Sequence, residues 1–546
     1  MIVRFLACAD GRGKVVSEPL IAPVVDYTCP SPEFKASKRN MFQISLARLV
    51  PMPGILALAF ALASTFPASV AAATEDGFRK LSVQLDHSIG AAPIDMRLQD
   101  GAGLLAVGMQ DEQWRYSVIS LADGEVVSTG VIPAGVFFYD TGDPQGLGTD
   151  RVCFFTERGV SVIDPASGEL REIFAVESLY HGQPAQGPVR SDFVRDVDGD
   201  EADDILAPLF SGWLVARQSD SGFDRFLLEI RPRVRAYETR VSYQPREPRL
   251  GDVDGDGRDD LMFLRDREFL SFLQSSPGRF ELTGRVDAID APLASEAQRS
   301  QWERDDGQVD QSDLEIEEVE LVQDFDGDGV VDLLTEKEIS EGVFDRRSEY
   351  HLYLGDRGAD ALTYAREADG SIASDGIQFI PIAVDVDGDG LTDIATPSTK
   401  LGLTRIVGAL FSGRIGVDLD VYRMREGGGY PDASDYQTRF KVEFDLDTGL
   451  TRFPAVKIAD VDGDGAAELL VQEEPDELTI YPGVGEPDIF GEEGRVVSLP
   501  LPSNGQMVEA RDLDGDDRAD IMVRYGPADG DEFFGQLRVL ISAPKD

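Results

Sequence analysis

Aliphatic residues in this chain arrive in short bursts. Six of them, "ILAPLF", "LMFL", "LLTE", "IATP", "LLVQ" and "IMVR", are brief and rich in branched side chains, so each predicts a strand. Further upstream, "LQDGAGLLAVGMQDEQWRYSVISLADGEVVSTG" gives three more strand-like runs, with a turn before "GEVV". Cys153 alternates with apolar neighbours in "RVCFF" and reads as a core thiol. The pattern predicts an all-β chain.

The polar residues before each burst are less ordinary. "LGDVDGDGRDDLMFL", Leu250 to Leu264, crowds Asp252, Asp254, Asp256, Asp259 and Asp260 against a segment that reads as core. Two carboxylates about 4 Å apart repel by about 4 kcal/mol at an effective dielectric of about 20. The pattern recurs six times: "DVDGDEADDI", "DVDGDGRDDL", "DFDGDGVVDL", "DVDGDGLTDI", "DVDGDGAAEL" and "DLDGDDRADI", starting at Asp196, Asp252, Asp324, Asp385, Asp460 and Asp512. Positions one, three and five are always Asp, position four is always Gly, and position nine is always acidic. Position eight drifts through Asp203, Asp259, Val331, Thr392, Ala467 and Ala519. A merely solvated acidic turn would not demand one carboxylate and ignore its neighbour.

Alternating oxygens closed by a further carboxylate suit a hard cation, and calcium takes six to eight oxygens. The expected side-chain ligands are Asp196, Asp252, Asp324, Asp385, Asp460 and Asp512 at position one and Asp198, Asp254, Asp326, Asp387, Asp462 and Asp514 at position three. They continue with Asp200, Asp256, Asp328, Asp389, Asp464 and Asp516 at position five and Asp204, Asp260, Asp332, Asp393, Glu468 and Asp520 at position nine. Position seven varies widely (Ala202, Arg258, Val330, Leu391, Ala466, Arg518), so it is expected to offer its backbone carbonyl. An EF-hand would need Glu at position twelve and flanking helices. Position twelve is Ala207, Phe263, Thr335, Thr396, Val471 and Val523, so that reading fails.

These residues resemble the FG-GAP/VCBS repeat, known from the integrin α-subunit propeller and from many secreted bacterial proteins. The resemblance implies a β-propeller with calcium held in a loop between strands of each blade, about six structural Ca²⁺ in all. It carries positions one, three, five and nine across as side-chain ligands and position seven as a carbonyl. Glu468 departs from the usual Asp and is expected to lengthen its site. Glu201 and Asp517 stand where a turn glycine is expected, so the first and sixth loops should be strained.

The motif spacing exceeds the about 40–50 residues of a tight four-stranded blade, so the blades carry insertions. The run from Asp287 to Glu320 reads as an exposed excursion with a short helix, and 422–437 as a glycine-rich loop. A decayed copy starts at Asp140 and keeps Asp143 and Asp150 at altered spacing. With "LQDGAG…" ahead of it, eight four-stranded blades are expected, seven being the alternative. "KLSVQL", 80–85, is expected to complete the short last blade and close the ring.

From Met41, a basic residue, an apolar run and a small-residue tract ending at Ala73 follow the pattern of a secretory signal peptide. The expected organisation is therefore an upstream extension at 1–40, a signal peptide at 41–73, and one propeller domain at 74–546. Within that domain, degenerate blades fill 90–190 and calcium-loop blades 191–546. Export places the protein in the periplasm or outside the cell, with no membrane span after cleavage. Only Cys153 then remains, and one cysteine cannot form an internal disulfide. A formal charge of −50 argues against nucleic acid and for cations or basic partners. His87, His181 and His351 lie far apart, and "GAGLLA" at 101–106 runs into a strand rather than a helix, so neither offers catalysis. Two functions stay open. One is a non-catalytic, adhesion-type scaffold for a protein or glycan partner. The other is a calcium-assisted enzyme resembling propeller-shaped polysaccharide lyases, which would need a cleft of basic residues and tyrosine.

Overall fold

A computed structural model describes residues 25–28 and 74–544, apart from 164–167, 220–221, 237–239, 303–311, 342–345, 359–360, 374–375, 401–411, 445–450 and 486–487. The expected signal segment, 41–73, and most of the upstream extension lie outside the described residues. Val25–Thr28 forms a strand antiparallel to Arg240–Gln244.

Eight sheets of four to six strands follow one another along the chain, antiparallel throughout except that Val189–Arg190 runs parallel to Val136–Gly142. Their first strands are Ile94–Leu98, Val136–Gly142, Val194–Arg195, Pro248–Gly251, Ser312–Gln323, Ile382–Val384, Val456–Ala459 and Val508–Arg511, and these define blades 1 to 8. First strands of neighbouring blades lie against one another at several boundaries, so they line the axis. Later strands run outward, and the last strand of blade 1, Val126–Val131, is largely exposed.

The core is divided into eight apolar clusters, one between each pair of neighbouring blades. In blade 7, Leu469 faces the cluster shared with blade 6 and Leu470 the one shared with blade 8. Leu104 and Leu105, Phe154 and Phe155, and Leu333 and Leu334 divide in the same way. The aliphatic bursts thus have no polar alternation because both faces of each second strand are covered. An eighth cluster joins blade 8 to blade 1 through Leu81, Val83, Leu104, Ile119 and Val539, so the ring is closed. Closure is made by Phe78–Gln84, which pairs in continuous register with Gln536–Ser542, as the sequence suggested. The fold is an eight-bladed β-propeller.

The insertions depart from expectation in one place. Asp287 is buried on strand Arg285–Ala288, where it accepts hydrogen bonds from Ser271 Oγ (3.1 Å) and the Leu362 amide (3.0 Å). Ser312–Gln323 is the first strand of blade 5, paired along its length with Asp332–Glu341. Alternation of acids with Leu314, Ile316, Val319 and Leu321 suits a strand, and the acid count disguised it as an excursion. What remains is a shorter connection carrying the helix Glu296–Trp302. A second insertion, between blades 3 and 4, is the hairpin Arg233–Ala236 and Arg240–Gln244.

Candidate metal sites in the loops between first and second strands

All six aspartate motifs fall between the first and second strands of blades 3 to 8, at one end of the ring. Their register is common. The residue before position one pairs with position nine in each: Arg195 with Asp204, Gly251 with Asp260, Gln323 with Asp332, Val384 with Asp393, Ala459 with Glu468, and Arg511 with Asp520. An eight-residue loop therefore closes every hairpin, and the ninth residue opens the second strand.

Within each loop the carboxylates bond to the loop's own amides. In blade 4, Asp252 accepts from Gly255 N (2.7 Å) and Gly257 N (3.0 Å), and Asp256 accepts from Arg258 N (3.0 Å). The same bonds recur in the other five loops, from Asp196, Asp324, Asp385, Asp460 and Asp512. The position-six residue takes the left-handed region throughout. Glu201 and Asp517, both at φ 69°, do so without being glycine, so the expected strain is real.

The ninth carboxylates are buried and hold two parts of the blade together. Asp260 accepts from Val253 N (2.9 Å) at the loop's start and from Gln274 N (2.7 Å) beyond the third strand. Asp332 and Asp393 do the same with Phe325 and Gly355 and with Val386 and Met424, and Asp520 accepts from Leu513 N and from Ser542 N, the last residue of its blade's third strand. Desolvation, followed by repulsion from the other loop carboxylates, pushes these acids up. Asp204 rises to about 8, Asp260 to about 6, and Asp332, Asp393, Glu468 and Asp520 to about 7.

Carboxylates at positions one, three and nine come within 4.8 Å of one another in four loops: Asp196, Asp198 and Asp204; Asp252, Asp254 and Asp260; Asp324, Asp326 and Asp332; Asp385, Asp387 and Asp393. The blade 7 loop differs, grouping Asp460, Asp462 and Asp464, while the longer Glu468 bonds Val461 N (2.8 Å). An all-oxygen donor set of this charge fits a hard divalent cation. Asp387 Oδ1 is buried without a hydrogen-bond partner among the described residues, an acceptor that a cation would satisfy.

The sequence did not disclose the arginines. Arg217 reaches Asp198 (2.6 Å) and Asp200 (3.2 Å) from the third strand of blade 3, and Arg423 reaches Asp387 (3.2 Å) from the loop after strand Arg414–Tyr422. Arg258 and Arg518, expected as carbonyl positions, pair their side chains with Asp256 and Asp516. The glycine-rich loop also folds back here, Tyr430 OH donating to Thr392 O (2.9 Å).

The decayed copy in blade 2 is wired differently. Asp140 accepts the amides of Phe193 and Val194 (both 2.9 Å), and Asp150 binds the Arg97 backbone (2.6 Å) and guanidinium (3.0 Å). Arg97 also approaches Asp203 (3.6 Å), so a guanidinium sits among these acids. Cys153 is fully buried and free, and His87 is buried between Ser88 O (2.7 Å) and Ser117 Oγ (2.8 Å). His351 joins Thr335 and Tyr353 in bonding the buried Glu317 (3.0, 2.7 and 2.8 Å), a packed network inside blade 5.

Residues 460–523 match the model of the FG-GAP-like repeat family. No curated protein matches the sequence. Among solved structures, the chain is similar to an Agrocybe aegerita lectin that recognises non-reducing terminal N-acetylglucosamine (16% identity, 78% of this chain and 96% of that one, TM-score 0.38). It is also similar to the V. cholerae biofilm matrix protein Bap1 (12% identity, 87% and 88%, TM-score 0.35) and to the rhamnogalacturonan lyase YesW (11% identity, 88% and 74%, TM-score 0.39). The matched repeat spans the loops of blades 7 and 8, and the same aspartate loop recurs in blades 3 to 6 of this eight-bladed propeller.

Proposed function

We propose that this chain is an exported, calcium-stabilised propeller that serves as a non-catalytic binding scaffold for a protein or an extracellular or periplasmic glycan. The observation that carries the reading is the repeated convergence of carboxylates from positions one, three and nine within 4.8 Å. About six Ca²⁺ would be held by the position one, three, five and nine side chains and the position seven carbonyls. Such ions neutralise charge that otherwise repels within each loop, and they fix the turn between the two innermost strands of a blade. Calcium takes the stabilising part that disulfides play in other exported proteins, because binding to the native state alone adds stability by mass action. Export follows from the signal-peptide pattern at 41–73. No helix among the described residues is long and apolar enough to cross a membrane. Native mass spectrometry of the purified chain should count about six Ca²⁺, and exhaustive chelation should lower the thermal midpoint by many degrees. A melting curve indifferent to chelation would rule the reading out, and glycan and protein pull-downs with and without calcium would identify the partner.

A further inference from the structure

The ends of blades 2 to 4 opposite the metal loops enclose a cavity of about 210 Å³. It lies where second strands finish, at Pro208 and Leu264, and where the first strand of blade 4 begins, at Pro248 and Arg249. Both insertions contribute to it, the hairpin through Arg233 and Gln244 and the helix through Glu296 and Arg299. This gives the excursions a purpose that the blade scaffold alone does not require.

The lining is unlike the rest of the molecule. Acids outnumber Lys and Arg by 101 to 51 in the chain, yet here four arginines meet four carboxylates. Three of those carboxylates are committed. Glu296 is bonded by Arg246 through both oxygens (2.6 and 3.3 Å), Asp266 accepts the Glu296 amide (2.7 Å), and Asp192 pairs with Arg195 (3.0 Å). The cations are less well served. Arg249 lies 3.5 Å from Glu247 with Glu320 as a further negative neighbour, yet desolvation still holds its pKa below the usual arginine value. Arg299 stands 3.4 Å from Glu318, and its Nε is buried without a hydrogen-bond partner among the described residues. A half-buried guanidinium with an unused donor gains from an acceptor that reaches it. The cavity therefore has spare capacity for an anion, and for a planar one, which a guanidinium fork matches.

Aromatic rings form the remaining wall. The Trp213 indole is fixed by its Nε1 donating to Arg246 O (2.8 Å), and Tyr180 packs edge-on to Phe138 and Phe155 at centroid distances of 4.8 and 6.0 Å. Such faces accept a flat ring. Pockets for drug-sized ligands run to about 300–1,000 Å³, so this one takes a single ring. Docked peptides instead use a strand edge or a long groove. Burial pushes the Tyr180 phenol up, which suits a neutral wall and not a general base.

We propose that this cavity binds a carboxylate carried on a six-membered ring, the carboxylate meeting Arg249 and Arg299 and the ring lying against Trp213. A uronic-acid unit of a glycan and a free aromatic acid share this chemistry. The proposal rests on the binding-scaffold reading and names the ligand class. The test is calorimetric titration of the calcium-loaded full chain with galacturonate trisaccharide and with benzoate, each beside its neutral counterpart, galactose trisaccharide and benzyl alcohol. Binding of either acid at least tenfold tighter than its neutral counterpart, and weakened at least tenfold by Arg299→Gln, is expected, and the tighter acid identifies the source. Absence of binding by both acids, equal binding of the neutral compounds, or tighter binding of an oligoglutamate peptide overturns it. Should Arg299→Gln misfold, Arg249→Gln replaces it, and the neutral comparison needs no variant. Calcium count and thermal midpoint measured on the same samples test the scaffold reading separately, so the two can fail independently.

Discussion

The ninth-position acid has two functions. In blade 4 its two oxygens hold amides from the loop start and from beyond the third strand, and the ninth carboxylate joins the carboxylate cluster proposed to hold calcium in four loops. That explains why the sequence insists on an acid there. Swapping Asp260 for Asn places an amide N–H against a backbone N–H, so Asp260→Asn should cost about 1–3 kcal/mol even in chelated protein. Asp254→Ala removes a proposed calcium ligand and only a loop-internal acceptor, so its loss should appear with calcium and nearly vanish after chelation; denaturant melts of both variants, with and without calcium, separate the roles. Protons compete for these groups. An acid whose pKa is higher folded than unfolded favours the fold below its unfolded value, and that contribution disappears as pH climbs through the folded one. With folded values of about 6 to about 8, the chelated protein should lose stability as pH rises toward 8. The loaded protein gains over the same window because its ligands must be deprotonated. Scanning calorimetry should thus show a calcium-induced rise in midpoint that grows from pH 5 to 8, and a constant difference would contradict it. These acids were legible because their spacing is local. Arg217 and Arg423 were not, since each reaches its loop from another strand or turn of its blade.

Loops join loops through the position that varies most. The amide of Thr392, at position eight, donates to Phe325 O (2.7 Å) in the preceding loop; Ala467 donates to Val386 O (3.1 Å) and Ala519 to Asp460 O (2.7 Å). Position eight drifts because the bond common to these three boundaries uses its backbone N–H, which any residue but proline supplies. Two glycines of one loop isolate the contact. A Cβ on Gly388 would lie 2.6 Å from Gly465 O in the next blade, whereas one on Gly390 meets nothing within 4 Å, and both have positive φ (77° and 88°). Both alanine variants should lose about 1 kcal/mol for the backbone conformation, and Gly388→Ala should lose more and also weaken calcium binding at the blade 7 loop. Equal losses would mean the loops act alone. Second strands were readable from their unbroken apolar runs, which two-sided burial demands. The first strand of blade 5 was misread because one face carries Glu315 and Glu317, of which Glu317 is buried by the Thr335, His351 and Tyr353 bonds that no local pattern announces.

For the molecule as a whole, the closing strand is the vulnerable element. Every other blade is built from one continuous stretch of chain, but blade 8 takes Phe78–Gln84 from the beginning of the described propeller and its other strands from the end. Phe78, Leu81, Val83 and Leu85 are each buried, the first in the cluster between blades 7 and 8 and the rest in the cluster between blades 8 and 1. At about 1.5–3 kcal/mol per large apolar side chain, their combined burial rivals the about 5–15 kcal/mol net stability of a typical domain. Calcium cannot replace it, since the metal loops lie between first and second strands and bridge neither of the two blades' outer edges. Removing residues 1–85 should therefore leave strand Gln536–Ser542 with an unpaired edge, which recruits strands from other molecules. The shortened chain should elute as oligomers in size-exclusion chromatography even with calcium present, while a chain shortened only to Thr74 stays monomeric and keeps its midpoint. Adding back a synthetic peptide of residues 74–86 should restore the monomer by refilling the edge, and a truncated chain that is monomeric and fully stable on its own would show that the ring does not depend on this seam.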